Sequence, residues 1–260
     1  MSIDGKNGSV AMRPLPKKKL CLVYPHDGSV RQVFMDSVMA FREFDGVHNQ
    51  VLGSVIHARG MYVEEQRNEL VTRFLKTDLE WFLTIDTDHK FAPEIPYLLI
   101  QSAEDNDARV MSALYFGILD GRYLPMWWNR TVDGTYATVA KILEGVQVVE
   151  GVGTGMLLVH RSVFEEMAVK YADDPWSWFG RDITLFRGAR KRFGEDLCFC
   201  ERLYHMGIKV YGDSRLAIGH EKTFNLDFPL FMELTKMQEA AECKEILDET
   251  RRVEFGNVQI

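Results

Sequence analysis

The chain lacks a Cys-x-x-Cys pair. Its four cysteines are Cys21, Cys198, Cys200 and Cys243. A cysteine zinc site is therefore not expected, and the usage fits a reduced, cytoplasmic protein. No apolar run approaches the ~18 residues that cross a bilayer. Met1 to Val10 is polar and glycine-containing, without the apolar centre of a secretory signal. Positive charge is not in excess: 31 Lys and Arg stand against 38 Asp and Glu, a net charge of −7. That balance argues against a broad nucleic-acid-coating surface and leaves room for a local basic patch. The glycine-containing turns are not followed by Lys-Ser/Thr, which excludes a phosphate-binding P-loop. Internal repeats, low-complexity runs and clear linkers are absent too.

What is present is globular. With 260 residues, 46% apolar and 27% charged, the chain suits one large domain or a domain with a short appendage. Strands are expected over Lys19–Pro25, Gln50–Ala58, Trp81–Ile85, Arg109–Phe116, Thr154–His160, Lys209–Tyr211 and Arg215–Ile218. Helices are expected over Val30–Phe44, Glu64–Lys76, Pro93–Ser102, Ser162–Tyr171, Glu195–Met206 and Pro229–Arg252. Gly121–Val149 reads as a β-ribbon or insertion, and Asp173–Phe193 as an irregular aromatic and basic loop. The alternation predicts an α/β, doubly wound sheet flanked by helices, with a C-terminal helical arm. Residues 1–18 are expected to be a flexible segment, 19–225 the main α/β domain, and 226–260 a helical extension that packs on it or mediates homo-oligomerisation.

The most informative stretch is Trp81 to His89, an apolar strand that ends in Asp86-Thr87-Asp88. In open α/β sheets, ligands gather at the carboxyl ends of such strands. Two carboxylates there repel unless a cation or a sugar hydroxyl lies between them. Further along, Gly194-Glu195-Asp196 precedes an apolar helix; carboxylates at that place also serve as ordinary partners of the helix dipole. Leu216 to His220 is another apolar strand ending in a ligand type, whereas His26, His48, His57, His89, His160 and His205 are taken as structural. Gly151-Val152-Gly153-Thr154-Gly155 permits close backbone approach.

Taken together these residues resemble the inverting, family 2-like glycosyltransferases of the GT-A fold, over roughly Lys19 to Lys222. The resemblance implies that Asp86, Asp88 and His220 hold Mn²⁺ or Mg²⁺, with Asp86 turned toward ribose or the donor sugar. It implies that Asp196 is the general base, with Glu195 as alternative or acceptor-orienting group. Arg67 and Asn68 would line the donor nucleotide, Gly153, Thr154 and Gly155 would lie under the transferred sugar, and Pro25-His26 would contact base and ribose. A threonine is common where His26 stands, which leaves the nucleotide open, a UDP-sugar being expected ahead of a GDP-sugar. The Gln-x-x-Arg-Trp of processive synthases is missing. Gly194-Glu195-Asp196-x-x-Phe199-Cys200 also resembles compact bacteriophage-encoded glycosyltransferases, which would place the protein in the host cytoplasm and in DNA modification.

The acceptor is read from the loop before Asp196. Trp176, Trp178, Phe179, Phe186 and Phe193 are interleaved with Arg181, Arg187, Arg190, Lys191 and Arg192. Aromatic faces stack on sugars or bases, and cations hold phosphate. Trp176, Trp178, Arg187, Arg190, Lys191 and Arg192 are thus candidate acceptor contacts, for a flipped hydroxylated base in DNA, a phosphoglycan or a protein. The bland alternative is a loop packed by its aromatics with a solvated basic flank. Two other functions stay open: a sugar nucleotidyltransferase, although Pro25-His26-Asp27-Gly28-Ser29 lacks the basic glycine-rich loop, and a non-catalytic nucleotide- or carbohydrate-binding module.

Overall fold

A computed structural model describes residues 12–60, 62–119, 121–174, 178–180, 182–184, 190–223, 231–232 and 235–236, with the backbone alone for 182–184 and 190–192. The chain divides into two units, Met1–Glu221 and Lys222–Ile260. Of the described residues of the second, 231–232 and 235–236 are helical and 222–223 are not. The rest of the helix expected over Pro229–Arg252 lies outside the described residues, and so does its use as an arm or an interface.

The first unit runs β1 (Leu20–His26), α1 (Gln32–Val47), β2 (Leu52–Arg59), α2 (Val63–Phe74), β3 (Trp81–Ile85), β4 (His89–Lys90), α3 (Ile95–Asp105) and β5 (Val110–Leu114). Then come β6 (Phe116–Leu119), β7 (Arg122–Pro125), β8 (Trp127–Arg130), β9 (Tyr136–Thr138), β10 (Val146–Val149), β11 (Gly151–Val152) and β12 (Met156–His160). The unit ends with α4 (Arg161–Lys170), β13 (Asp182–Thr184), β14 (Arg190–Arg192), α5 (Glu195–His205), β15 (Val210–Ala217) and β16 (Gly219–His220).

Seven strands form one mixed sheet in the order β10-β15-β5-β12-β3-β1-β2. β1, β2, β3, β5 and β15 run parallel, while β12 and β10 are antiparallel to their neighbours. Both faces are covered, and for that reason β3 and β5 are buried at every position and mostly apolar instead of alternating. Successive residues of β1 feed opposite cores. Leu20 and Leu22 pack with Phe34 and Phe41 of α1 and Leu99 of α3, whereas Cys21 and Val23 pack with Phe74 of α2, Phe164 of α4 and Phe199 of α5. This arrangement brings the carboxyl ends of β1, β2, β3 and β5 to one edge.

Three local departures from the sequence reading have physical causes. The third helix starts at Ile95, because Ala92 to Ile95 close a turn (Ile95 N–H to Ala92 O, 3.1 Å). Pro96, not Pro93, then sits in the first helical turn, where a missing N–H is harmless. The two short strands expected near residues 209–218 are one strand, β15, whose register on β5 slips between Asp213 and Ala217. Asp213 hid that continuity; it is buried because Ser102 Oγ donates to it at 2.7 Å and Arg215 pairs with it. Within the loop expected to be irregular, β13 and β14 pair antiparallel.

Candidate active site

The strand β3 ends in a turn, and the turn sends its two carboxylates to different partners. The Asp86 N–H donates to Gly155 O at 3.0 Å, and the His89 N–H turns back onto Asp86 O at 3.2 Å. Residues i and i+2 would share a side in an extended strand, but the strand stops at Ile85. Asp86 accordingly meets Arg67 of α2, whose guanidinium donates to its Oδ1 at 2.7 Å. That guanidinium also donates to Thr84 Oγ1 at 3.0 Å and lies 3.4 Å from Glu195 Oε1. Only 2% of the Arg67 side chain is exposed. Its charge therefore ties α2, the end of β3 and the start of α5 together at one buried point.

Asp196 lies beside this cation. Its Oδ1 accepts the Leu197 N–H at 2.7 Å, so the expected helix-terminal contact is made as well. Burial, and then the neighbouring Glu195 charge, push the Asp196 carboxyl up to about 6, while Arg67 pulls it down. A carboxylate so tuned is ionised at neutral pH and near the range where proton transfer is efficient.

Asp88 faces the other way, toward two imidazoles. Asp88 Oδ2 is 3.0 Å from His220 Nε2, and Asp88 Oδ1 is 3.0 Å from His89 Nδ1. His89 and His220 are direct cross-strand partners on β4 and β16, with rings stacked at 4.3 Å. Among the described residues, Asp88, His89 and His220 are the group whose candidate ligand atoms come within 4.8 Å of one another. Asp86, expected alongside Asp88 at a metal, is not in that group. His89, taken as structural from the sequence, is. The signal that could have found it is its place one residue after the Asp-x-Asp.

The small residues between β11 and β12 are explained by packing. A Cβ on Gly153 would stand 2.0 Å from Tyr115 Oη, and one on Gly155 would stand 2.6 Å from Tyr115 Cζ and 2.7 Å from His89 Cε1. The Gly155 N–H donates to Tyr115 Oη at 3.0 Å, and the Tyr115 ring meets His89 edge-on. Thr154 between them is buried. Gly155→Ala is therefore expected to cost ~1–3 kcal/mol by overpacking. Chemical denaturation checks this, and a change within error of zero would show that the neighbours move aside freely.

Other expected residues are placed as follows. His26 closes β1, and its Nε2 lies 3.0 Å from Nδ1 of His57 on β2. His57 in turn stacks on Tyr24, and burial followed by the His57 charge lowers the His26 imidazole. Pro25 is buried in the same strand. Asn68 uses its amide on the backbone of Phe179, donating to the carbonyl at 2.8 Å and accepting the N–H at 3.1 Å. Trp178 donates its indole N–H to Phe164 O at 2.9 Å and packs on the core. Phe179 stacks on Phe199. Of the remaining acceptor candidates, Trp176 and Arg187 lie outside the described residues, as do the side chains of Arg190, Lys191 and Arg192.

The sequence matches no protein-family model and no curated protein. Solved structures do resemble the chain. A197 from STIV superposes with a TM-score of 0.54 at 19% identity, over 79% of this chain and 86% of that one. GalNAc-T7, in a crystal structure with UDP, GalNAc and Mn²⁺, superposes with a TM-score of 0.51 at 11% identity, over 80% of this chain and 45% of that one. At such identities the likeness concerns the fold: a seven-stranded mixed sheet flanked by helices, similar to that of a GT-A glycosyltransferase.

Proposed function

We propose that this protein is a divalent-metal-assisted glycosyltransferase that moves a sugar from a nucleoside-diphosphate donor to a hydroxyl acceptor with inversion. The observation that carries the reading is the division of labour at the end of β3. One carboxylate there joins a buried arginine and a near-neutral carboxyl, Asp196; the other joins two imidazoles. GalNAc-T7, whose fold the chain shares, holds UDP, GalNAc and Mn²⁺ in its crystal structure.

Asp196 removes the proton from the acceptor hydroxyl as the acceptor oxygen attacks the anomeric carbon from the face opposite the departing diphosphate. Glu195 stays close to Arg67 and orients the acceptor. Asp86, held by Arg67, offers its free oxygen to a donor hydroxyl. Pro25 and His26 contact the base and ribose, with the imidazole steered by His57. Residues of the aromatic and basic loop, Arg187, Arg190, Lys191 and Arg192 among them, hold an anionic acceptor. Asp88 and the imidazoles beside it would hold the cation, which offsets the charge that builds on the leaving diphosphate.

A thermal-shift panel of nucleotide sugars with and without Mn²⁺ tests this reading. A ligand at ~100 times its Kd raises stability by ~2.7 kcal/mol. One nucleotide sugar is expected to raise Tm, and more so with Mn²⁺. If no nucleotide sugar moves Tm under either condition, the reading fails.

A further inference from the structure

We propose that the protein's cation ligands are Asp88, His89 and His220, that Arg67 keeps Asp86 out of the set, and that the ion is therefore bound by the protein before any nucleotide arrives. The use of that ion rests on the function proposed above, but its binding does not.

The first argument concerns His220. Its Nδ1 lies 2.8 Å from Phe116 O, and a carbonyl only accepts, so Nδ1 carries the proton. A histidine held in this way presents Nε2, which is how metal-ligating imidazoles are commonly oriented. His220 Nε2 then points at Asp88 Oδ2 from 3.0 Å. A bare nitrogen lone pair facing a carboxylate is repulsive unless a positive charge sits between them. That charge is either a second proton on the ring or a metal ion.

His89 favours the ion. Its side chain is 1% exposed, and neither ring nitrogen has a hydrogen-bond partner, although Nδ1 lies 3.0 Å from Asp88 Oδ1. Leaving such a group unsatisfied costs ~1–3 kcal/mol. A protonated His220 would satisfy Asp88 and leave His89 as it is. A cation shared by the three side chains gives one of the His89 nitrogens a partner and at the same time joins His220 to Asp88. The imidazoles are also placed in advance: cross-strand pairing of β4 with β16 sets them side by side, and Gly155 and Tyr115 close over His89.

Asp86 is excluded for an electrostatic reason. Its Oδ1 is 2.7 Å from a buried guanidinium, and a second cation on the same carboxylate would be repelled. Two nitrogens and one carboxylate oxygen form a set that favours Mn²⁺, Co²⁺ or Zn²⁺ over Mg²⁺, which prefers oxygen and water. An ion held by three protein atoms does not need a diphosphate to complete its primary attachment.

The experiment uses the full chain with Mn²⁺ alone. Titration calorimetry and electron paramagnetic resonance should detect one bound Mn²⁺ without nucleotide, and Mg²⁺ should compete poorly. Pulsed resonance on the unaltered protein should count two coordinated imidazole nitrogens, a readout that does not depend on any variant folding. His89→Gln and Asp88→Asn should each weaken Mn²⁺ by more than ~100-fold, beyond the loss expected for an outer partner of a metal site. Asp86→Asn should change it by less than ~10-fold, smaller than most outer-partner losses. A count of one nitrogen, undiminished affinity in His89→Gln, an equal loss in Asp86→Asn, or no binding without nucleotide would each overturn the proposal. Bound Mn²⁺ with both nitrogens, in a protein that ignores every nucleotide sugar, would uphold it while removing the proposed function.

Discussion

Asp196→Asn is expected to keep the fold and the donor affinity while turnover falls by ~10²–10⁴-fold, the scale of lost general-base catalysis. The unaltered enzyme should lose activity as pH drops through about 6, because burial and the Glu195 charge raise that carboxyl and its protonated form cannot accept the acceptor's proton. The stability effect has the opposite sense. A carboxyl raised on folding means that the native state holds a proton the unfolded chain releases, so stability declines as pH rises from the ordinary Asp range to about 6. Asparagine escapes that penalty. The variant should therefore be at least as stable as the parent at neutral pH, which separates lost chemistry from lost folding. Steady-state rates across pH, denaturant unfolding and proton NMR of the product provide the checks. An α-linked donor should give a β-linked product. Near-normal turnover in Asp196→Asn, or retention at the anomeric centre, would end the mechanism and leave the fold untouched.

Arg67→Met should have the largest effect on stability. The change leaves Asp86 and Glu195 facing each other, with Asp196 nearby, and removes the one cation that the hydrogen bonds at this point share. Stripping one partner from a buried ion pair costs ~3–5 kcal/mol. The lower end of that range applies, because 33% of the Asp86 side chain is exposed and water screens part of the charge. Loss of the Arg67 charge also removes a force that lowers the Asp196 carboxyl, so the acid limb of the pH–rate profile should move above about 6. Arg67→Lys keeps the charge but loses the planar fork that reaches Thr84, Asp86 and Glu195 together, and should recover part of both effects. Unfolding curves and pH profiles of the two variants decide the matter. If Arg67→Met unfolds like the parent and titrates like it, Arg67 neither holds this site together nor tunes Asp196.

Strand β3 was legible because a strand covered on both faces is mostly apolar, with Thr84 the one polar residue in it, and no surface element needs such a run. The helix at Glu195 was legible from its acidic first turn and its apolar spacing. Side-chain partners were less legible, because one residue type serves two chemistries. An arginine followed by an asparagine on a helix looks solvated, yet Arg67 is buried against carboxylates and Asn68 is engaged by the Phe179 backbone. Trp178 looks like a stacking platform, and its indole N–H is held by Phe164 O.

The sequence by itself therefore determined the α/β layering, the edge at which polar residues collect, and the identity of the acids there. These follow from burial patterns and from chain-local preferences. Only the tertiary structure decided which acid meets which partner. Asp86 and Asp88 are two residues apart, yet one faces an arginine from α2 and the other a histidine brought by β16. His89 likewise gains a second imidazole only through the pairing of two short strands far apart in the chain. Charge neutralisation and ligand geometry depend on distances of a few ångströms between such segments. No pattern within one segment records those distances, because they are fixed when the sheet closes and its turns are packed.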